Sequence, residues 1–185
     1  MKKRLEFLKL GAADYNKRMD TDRIAEDFRQ AMRRWASGVS VVTARLGERL
    51  GGMTVSSFTS VALNPPLVLV ALDQASATHA LVREAGCYAV TVLGAGQHSL
   101  SDHFAHPFTA EDRPFAGIPV FSLRSGAPLL AGGAAWFDCQ VVGAHAAGDH
   151  TLFVGQVLQL QLGEGQPLVY YDRSYWRLGA KLASR

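Results

Sequence analysis

Cysteine is scarce in this chain. Two occur in 185 residues, Cys87 and Cys139, and both sit inside apolar runs. That argues against a disulfide framework and for an intracellular, reducing compartment. Long apolar runs are missing as well: no segment approaches the ~20 residues of a bilayer-spanning helix, and the basic N-terminus is not followed by a signal-type apolar core. The expectation is a cytoplasmic protein with no membrane association. Charged residues make up only 19% of the chain against 48% hydrophobic, which fits a single globular domain with a full-sized core and argues against disordered and fibrous classes.

Several catalytic signatures are absent too. No Gly-x-Ser-x-Gly elbow occurs, and neither cysteine has neighbours that would lower a thiol pKa, so nucleophilic catalysis has no candidate. Gly94-Ala95-Gly96-Gln97-His98-Ser99 starts like a dinucleotide fingerprint, but its third glycine is Ser99 and no acidic residue ends a second strand about 20 residues on. A Gly-rich strand-to-helix turn is the better reading. His98, His103 and His106 cluster beside Asp102, yet only His103 and His106 have ligand-pair spacing, across a Pro-bounded helix end. No metal is expected.

The pI of about 9.0 invites a nucleic-acid role, but its source removes the appeal. Residues 1–18 carry a net charge of +4 and the remaining 167 carry −1. Basicity belongs to an N-terminal extension, taken as residues 1–20, and the domain at 21–185 is near neutral. No nucleic-acid partner is expected.

Apolar residues at Ile24, Phe28, Ala31, Met32 and Trp35 have helical spacing, with Thr21 or Asp22 as N-cap and Gly38 past the end. Val39–Thr43, a turn at 46–49 and an extended stretch from Leu50 to Phe58 predict a hairpin. Asn64-Pro65-Pro66 interrupts pairing before a short buried strand, Leu67–Leu72. Ser76–Ala85 predicts a helix closed by Gly86, Cys87–Leu93 a strand, and Gln97–Ala105 a second short helix. Residues 106–119, with three prolines, predict a long loop. Trp136–His145, Thr151–Leu162, Leu168–Tyr171 and Tyr175–Leu178 then read as strands. Strands joined mostly by turns predict an antiparallel barrel or sandwich with a few helices attached.

Two segments carry chemistry. Thr54-Val55-Ser56-Ser57-Phe58-Thr59-Ser60 places five hydroxyls in seven positions before a long apolar run. An exposed edge could look like this, but small uncharged hydroxyls on a strand also suit a ligand with many carbonyls and ring nitrogens, such as a flavin. Gly148-Asp149-His150-Thr151 carries a histidine from a turn directly into a strand, where an ordinary surface histidine is the competing reading.

In order and context, Phe28–Thr43, Gly52–Val61, Pro65-Pro66, Ala89-Val90-Thr91-Val92-Leu93 with Gln97, Phe104-Ala105, and Gly148-Asp149-His150 with Gly155 resemble the short-chain flavin reductases that serve two-component monooxygenases. The resemblance covers roughly residues 24–178. It implies a mainly β fold, the FMN-binding split β-barrel, antiparallel and of Greek-key type with a few flanking α-helices. It also implies a homodimer that binds FMN or FAD and reduces it with NADH or NADPH, for a flavin-dependent monooxygenase. On it, Thr54, Val55, Ser56 and Ser57 line the isoalloxazine and ribityl chain, and Ser60, Val61 and Ala62 continue the cradle. Ser76, Ala77 and Thr78 open a helix toward the phosphate, with Arg83 as a charge partner, and Phe104 belongs to the cofactor site. His150 meets the nicotinamide as the catalytic residue, with Tyr170, Tyr171, Arg173 and Tyr175 as further pyridine-nucleotide contacts.

Such a reaction needs two stacked rings and no protein nucleophile, in keeping with the missing triad. Three alternatives are a permanent flavin carrier of the same barrel, an enzyme of the pyridoxamine-phosphate oxidase type, which would call for more basic phosphate ligands, and a nucleic-acid module driven by the tail. Nothing in the sequence chooses FMN over FAD or NADH over NADPH.

Overall fold

A computed structural model of the protein describes residues 21–108 and 112–182. The basic extension at 1–20 lies outside them. Two compact units are present. In the first, α1 (Thr21–Met32) begins three residues before the periodic apolar positions and is followed by a turn through Arg33 and Arg34, so Trp35 falls beyond the helix proper. Arg33 O accepts a hydrogen bond from Asp172 N at 3.2 Å, in the turn segment 171–173 of the same unit. Ile24, Phe28, Met32 and Trp35 are all exposed, Phe28 by 63% and Trp35 by 69%.

The second unit is built on a seven-stranded antiparallel sheet. Its strands are β2 (Ser40–Leu46), β3 (Arg49–Val55), β4 (Thr59–Leu63), β5 (Pro66–Asp73), β6 (Cys87–Val92), β9 (Ala135–Ala147) and β10 (His150–Leu162), in the spatial order β3-β2-β6-β9-β10-β5-β4. The two end strands, β3 and β4, are consecutive in sequence and joined only by Ser56-Ser57-Phe58. Laid flat, seven strands would hold them about 29 Å apart, whereas the linker reaches at most about 14 Å. The sheet must therefore curl until its ends meet, giving a barrel split at the hydroxyl-rich segment. Smaller elements complete the unit: β1 (Ser37–Gly38) pairs with β11 (Val169–Tyr171), which adjoins β12 (Ser174–Trp176), and β7 (Val120–Ser122) pairs with β8 (Pro128–Leu130).

Three expectations change. The extended stretch expected to run to Phe58 ends at Val55, because Ser57 turns inward to bond another strand; Thr59–Leu63 is a separate strand, unrecognised from its hydroxyls. Pro66 does not interrupt pairing but opens β5 opposite Leu63, a first-residue position where the missing N–H costs nothing. Residues 106–108 and 112–119, the described part of the expected loop, hold no helix or strand, but the β7–β8 hairpin beyond them is too short to leave a periodic signal.

The barrel interior is filled by Val42 and Ala44 from β2, Val68, Val70 and Leu72 from β5, Tyr88 and Val90 from β6, Cys139 and Phe153. Helix α2 (Ala77–Ala85) adds Leu81 and Val82 to this core, and α3 (His98–Ala105) contributes Phe104 to a second cluster with Val39, Val41, Leu93, Leu130 and Leu168. Helix α2 has both ends fixed. The Ser76 hydroxyl accepts from His79 N at 3.1 Å, and Gly86 closes the helix with a φ of 66°, a conformation that favours glycine.

Candidate functional site

A cleft of about 1090 Å³ opens in the second unit, lined on one side by Glu48–Thr54 of the β2–β3 hairpin. The start of α2 (Asp73, Ala75, Ser76, Ala77, Thr78, with Leu81) forms a second side and residues 104–108 and 112–116 a third. Glycine shapes the floor. A Cβ on Gly52 would come within 3.0 Å of Phe104 Cε1 and 3.3 Å of Phe115 Cζ, and one on Gly51 within 3.0 Å of Leu81 Cδ2. The pair lets α2 and the aromatic wall close on the β3 backbone. Phe104, Phe108 and Phe115 form that wall, with ring centroids 5.3 to 5.8 Å from Phe104.

Of the residues expected from sequence, Thr54, Ser76, Ala77, Thr78 and Phe104 line this cleft together. Thr54 Oγ1 donates to Ser101 O at 2.7 Å, fastening α3 to β3. Tyr175 reinforces the same helix: its hydroxyl donates to Asp102 Oδ1 at 2.7 Å and accepts from Ser101 Oγ at 2.9 Å. Burial, with the Asp102 carboxylate adding to it, raises the Tyr175 pKa. Val55 is buried in the barrel core and Ser57 bridges to β5, its hydroxyl donating to Ala71 O at 2.9 Å and accepting from Ala71 N at 3.0 Å. Ser56 between them is exposed, as are Ser60, Val61 and Ala62 on β4. The hydroxyl-rich segment is thus divided, with Thr54 and Ser57 bonded inside the fold and Ser56 and Ser60 presented outward.

Arg83 stands in the last turn of α2, seven residues and about 10 Å along the helix from Ser76, and does not line the cleft. Tyr170 lies on β11 against Tyr175, ring centroids 5.6 Å apart, while Tyr171 ends β11 and Arg173 takes a φ of 62° in the turn to β12.

His150 begins β10 opposite Asp73, a cleft residue, and the turn before it is tied to the same corner. Gln74 N donates to Asp149 O at 3.0 Å and Gln74 Nε2 to His150 O at 2.9 Å. His150 Nδ1 lies 2.6 Å from Asp149 Oδ1, and that hydrogen bond holds the Asp149 carboxyl below its ordinary range. Since Nδ1 is engaged, Nε2 is the nitrogen left to meet a ligand. Behind it, buried His79 places Nε2 2.9 Å from Thr151 Oγ1, linking α2 to β10. Burial, then the nearby Arg83 charge, lowers the His79 pKa and favours the neutral ring.

The clustered histidines have local partners: His103 Nε2 lies 2.8 Å from Pro114 O and His106 Nδ1 2.7 Å from Asp102 O. Sequence reasoning missed Arg49, Gly51, Met53, Arg113 and Phe115 as lining residues. The Gly51-Gly52 doublet inside a strand was the available signal, since strand glycines mark close backbone approach.

Residues 32–179 match the family described as "Flavin reductase like domain". The chain is 43% identical over 151 residues to an NADH-dependent flavin reductase of a Rhodococcus species, covering 80% of this chain and 83% of that one. It is 41% identical over 154 residues to the reductase component of 4-hydroxyphenylacetate 3-monooxygenase from Thermus thermophilus, covering 83% and 96%. Among solved structures, the NADH:FAD oxidoreductase SgcE6 of Streptomyces globisporus superposes with a TM-score of 0.81 at 32% identity, covering 88% of this chain and 96% of that one. With a split antiparallel barrel, a cleft beside its split and this extent of similarity, the chain belongs to the flavin reductase-like family.

Proposed function

We propose that this protein is an NAD(P)H-dependent flavin reductase that reduces FMN or FAD and supplies the reduced flavin to a partner monooxygenase. The observation that carries this reading is the convergence on one corner, Asp73–Thr78, of the cleft, the start of α2 and the His150 turn. The cleft fits a flavin. Its wall is aromatic, packed closely on the β3 backbone at Gly51 and Gly52, and its volume is slightly above the ~300–1,000 Å³ usual for ligand clefts.

A bound flavin supplies a ring system that accepts hydride equivalents from a nicotinamide stacked on it. The protein's part is placement. Thr54 and Ser56, with the backbone of Val55 and Ser57 where the barrel splits, line the isoalloxazine and ribityl chain, and Ser60, Val61 and Ala62 extend that surface along β4. Hydroxyls and backbone N–H groups there offset the negative charge that reduction leaves on the flavin. Ala77 and Thr78 present first-turn N–H groups of α2 to the phosphate, with Ser76, whose own N–H is bonded to Asp73 O, capping that turn and Arg83 adding a more distant positive charge. Phe104 closes the aromatic side. His150, its Nδ1 held by Asp149, orients the nicotinamide through Nε2 and can hand a proton to the flavin site, while Tyr171 and Arg173 contact the pyridine nucleotide.

The protein acts as a homodimer in the cytoplasm on this reading. The exposed Phe28 on α1 and Trp35 just beyond it support dimer formation because monomers rarely leave large apolar patches in water. Steady-state oxidation of NADH and NADPH with FMN, FAD or riboflavin in excess tests the function. Turnover with at least one pair is expected; flavin binding with no oxidation by either nucleotide would identify a carrier instead.

A further inference from the structure

The cleft continues past the point where a flavin mononucleotide would end. If the phosphate sits at Ser76–Thr78, as proposed above, it lies level with Gly51, since a Cβ there would be 3.5 Å from Thr78 Oγ1. The lining nevertheless runs on through Leu50, Arg49 and Glu48. Two further strand residues and the turn residue Glu48 add about 10 Å of cleft, the length of a second nucleotide half rather than of a phosphate's solvent shell.

At this far end stands Arg49, with its guanidinium held in a fork by Glu84 of α2. Nη1 lies 2.7 Å from Oε2 and Nη2 3.4 Å from Oε1. The hydrogen bonds and charge of this pair raise the Arg49 pKa and lower that of Glu84. A two-point fork fixes the plane of the guanidinium as well as its position. Its charge is already matched, so its use for an anion is reduced. Its flat face is retained, and a guanidinium plane is a stacking surface for a nucleobase.

We infer that the Glu48–Leu50 end of the cleft is an adenosine subsite in which the face of Arg49, oriented by Glu84, stacks on the adenine of FAD, making the protein selective for FAD over FMN. This rests on the flavin reading above. The moiety recognised is an adenosine diphosphate end, which NADH also carries; it is assigned to FAD because the subsite continues directly from the phosphate position on β3.

Dissociation constants for FAD, FMN and riboflavin, measured by flavin fluorescence on the full chain and on Arg49→Ala and Arg49→Lys, test the inference. The natural protein should bind FAD more tightly than FMN. Both variants should lose about five- to tenfold in FAD affinity, the lower part of the range for base stacking because the site is half open, with FMN affinity unchanged. Equal affinities for FAD and FMN, or an Arg49→Ala variant that keeps its FAD affinity, would overturn it. Retention of FAD affinity by Arg49→Lys would show charge rather than stacking and would overturn it too. So would an Arg49→Ala variant whose KM for NADH rises, with FMN as acceptor, while its FAD affinity holds, because the adenosine would then belong to the nicotinamide nucleotide. Failure of the reductase reading looks different: FAD would bind selectively without any NADH or NADPH oxidation.

Discussion

Replacing Ser57 by alanine separates the structural from the ligand-facing hydroxyls. Ser57 sits in the three-residue gap between β3 and β4, and its hydroxyl both donates to Ala71 O at 2.9 Å and accepts from Ala71 N at 3.0 Å. The β4–β5 pairing ends at Thr59 and Leu69, so this side chain stands in for a backbone partner beyond the end of the ladder. Two net hydrogen bonds of ~0.5–1.5 kcal/mol each, discounted because the site is only partly buried, give a loss of about 1–2 kcal/mol. For a domain of this size that is a fall in Tm of roughly 3–6 °C. The assay is thermal and urea unfolding of the flavin-free protein followed by circular dichroism, with an unchanged urea slope because the exposed surface is the same. Ser56→Ala is the control: exposed and outside the barrel core, it should shift stability by less than about 0.5 kcal/mol and weaken flavin binding instead. A Ser57→Ala variant as stable as the natural protein, or a Ser56→Ala variant destabilised as much, would refute this division of the segment.

Other outcomes follow from the same structure. His150→Ala should slow nicotinamide turnover while flavin affinity by fluorescence quenching stays nearly constant; equal loss of both would place His150 on the flavin. The His79 pKa is lowered from 6.5 in the fold, so the unfolded chain takes up the proton first: the stabilising effect is complete above about pH 7, is lost as pH falls below 6.5, and levels off below the folded pKa. Urea midpoints should therefore drop as pH falls from about 7 through 6.5, and drop less in His79→Gln. Burial pushes the Cys139 thiol up to about 12 and raises that of Cys87, so neither should react quickly with a disulfide reagent near neutral pH until urea is added.

Much of the barrel is legible in the sequence because its strands announce themselves locally. Val39–Thr43, Cys87–Leu93 and Trp136–His145 are rich in β-branched or aromatic residues, and the helix at 76–85 carries both its caps, Ser76 and Gly86, in the sequence. Strand β4 is hidden because its hydroxyls weaken alternation and its pairing depends on β5 across a turn at Asn64-Pro65. The family resemblance implies one site for the start of α2 and Thr54, and both line the cleft. Arg49 is not legible in the sequence as a cleft residue, because its pairing with Glu84, 35 residues away, forms only when α2 packs on β3. The inward turn of Ser57 is equally invisible in a run of similar hydroxyls, since only the closure of the barrel selects which of them finds Ala71.

Anaerobic stopped-flow mixing of the flavin-loaded protein with NADH, and with NADH deuterated at the transferred C4 position, tests the central claim most directly. The account predicts bleaching of the flavin's visible absorbance within a single turnover, slowed by deuterium, and much slower in His150→Ala at equal flavin occupancy. A flavin that binds in the cleft and keeps its absorbance when either NADH or NADPH is added would contradict it.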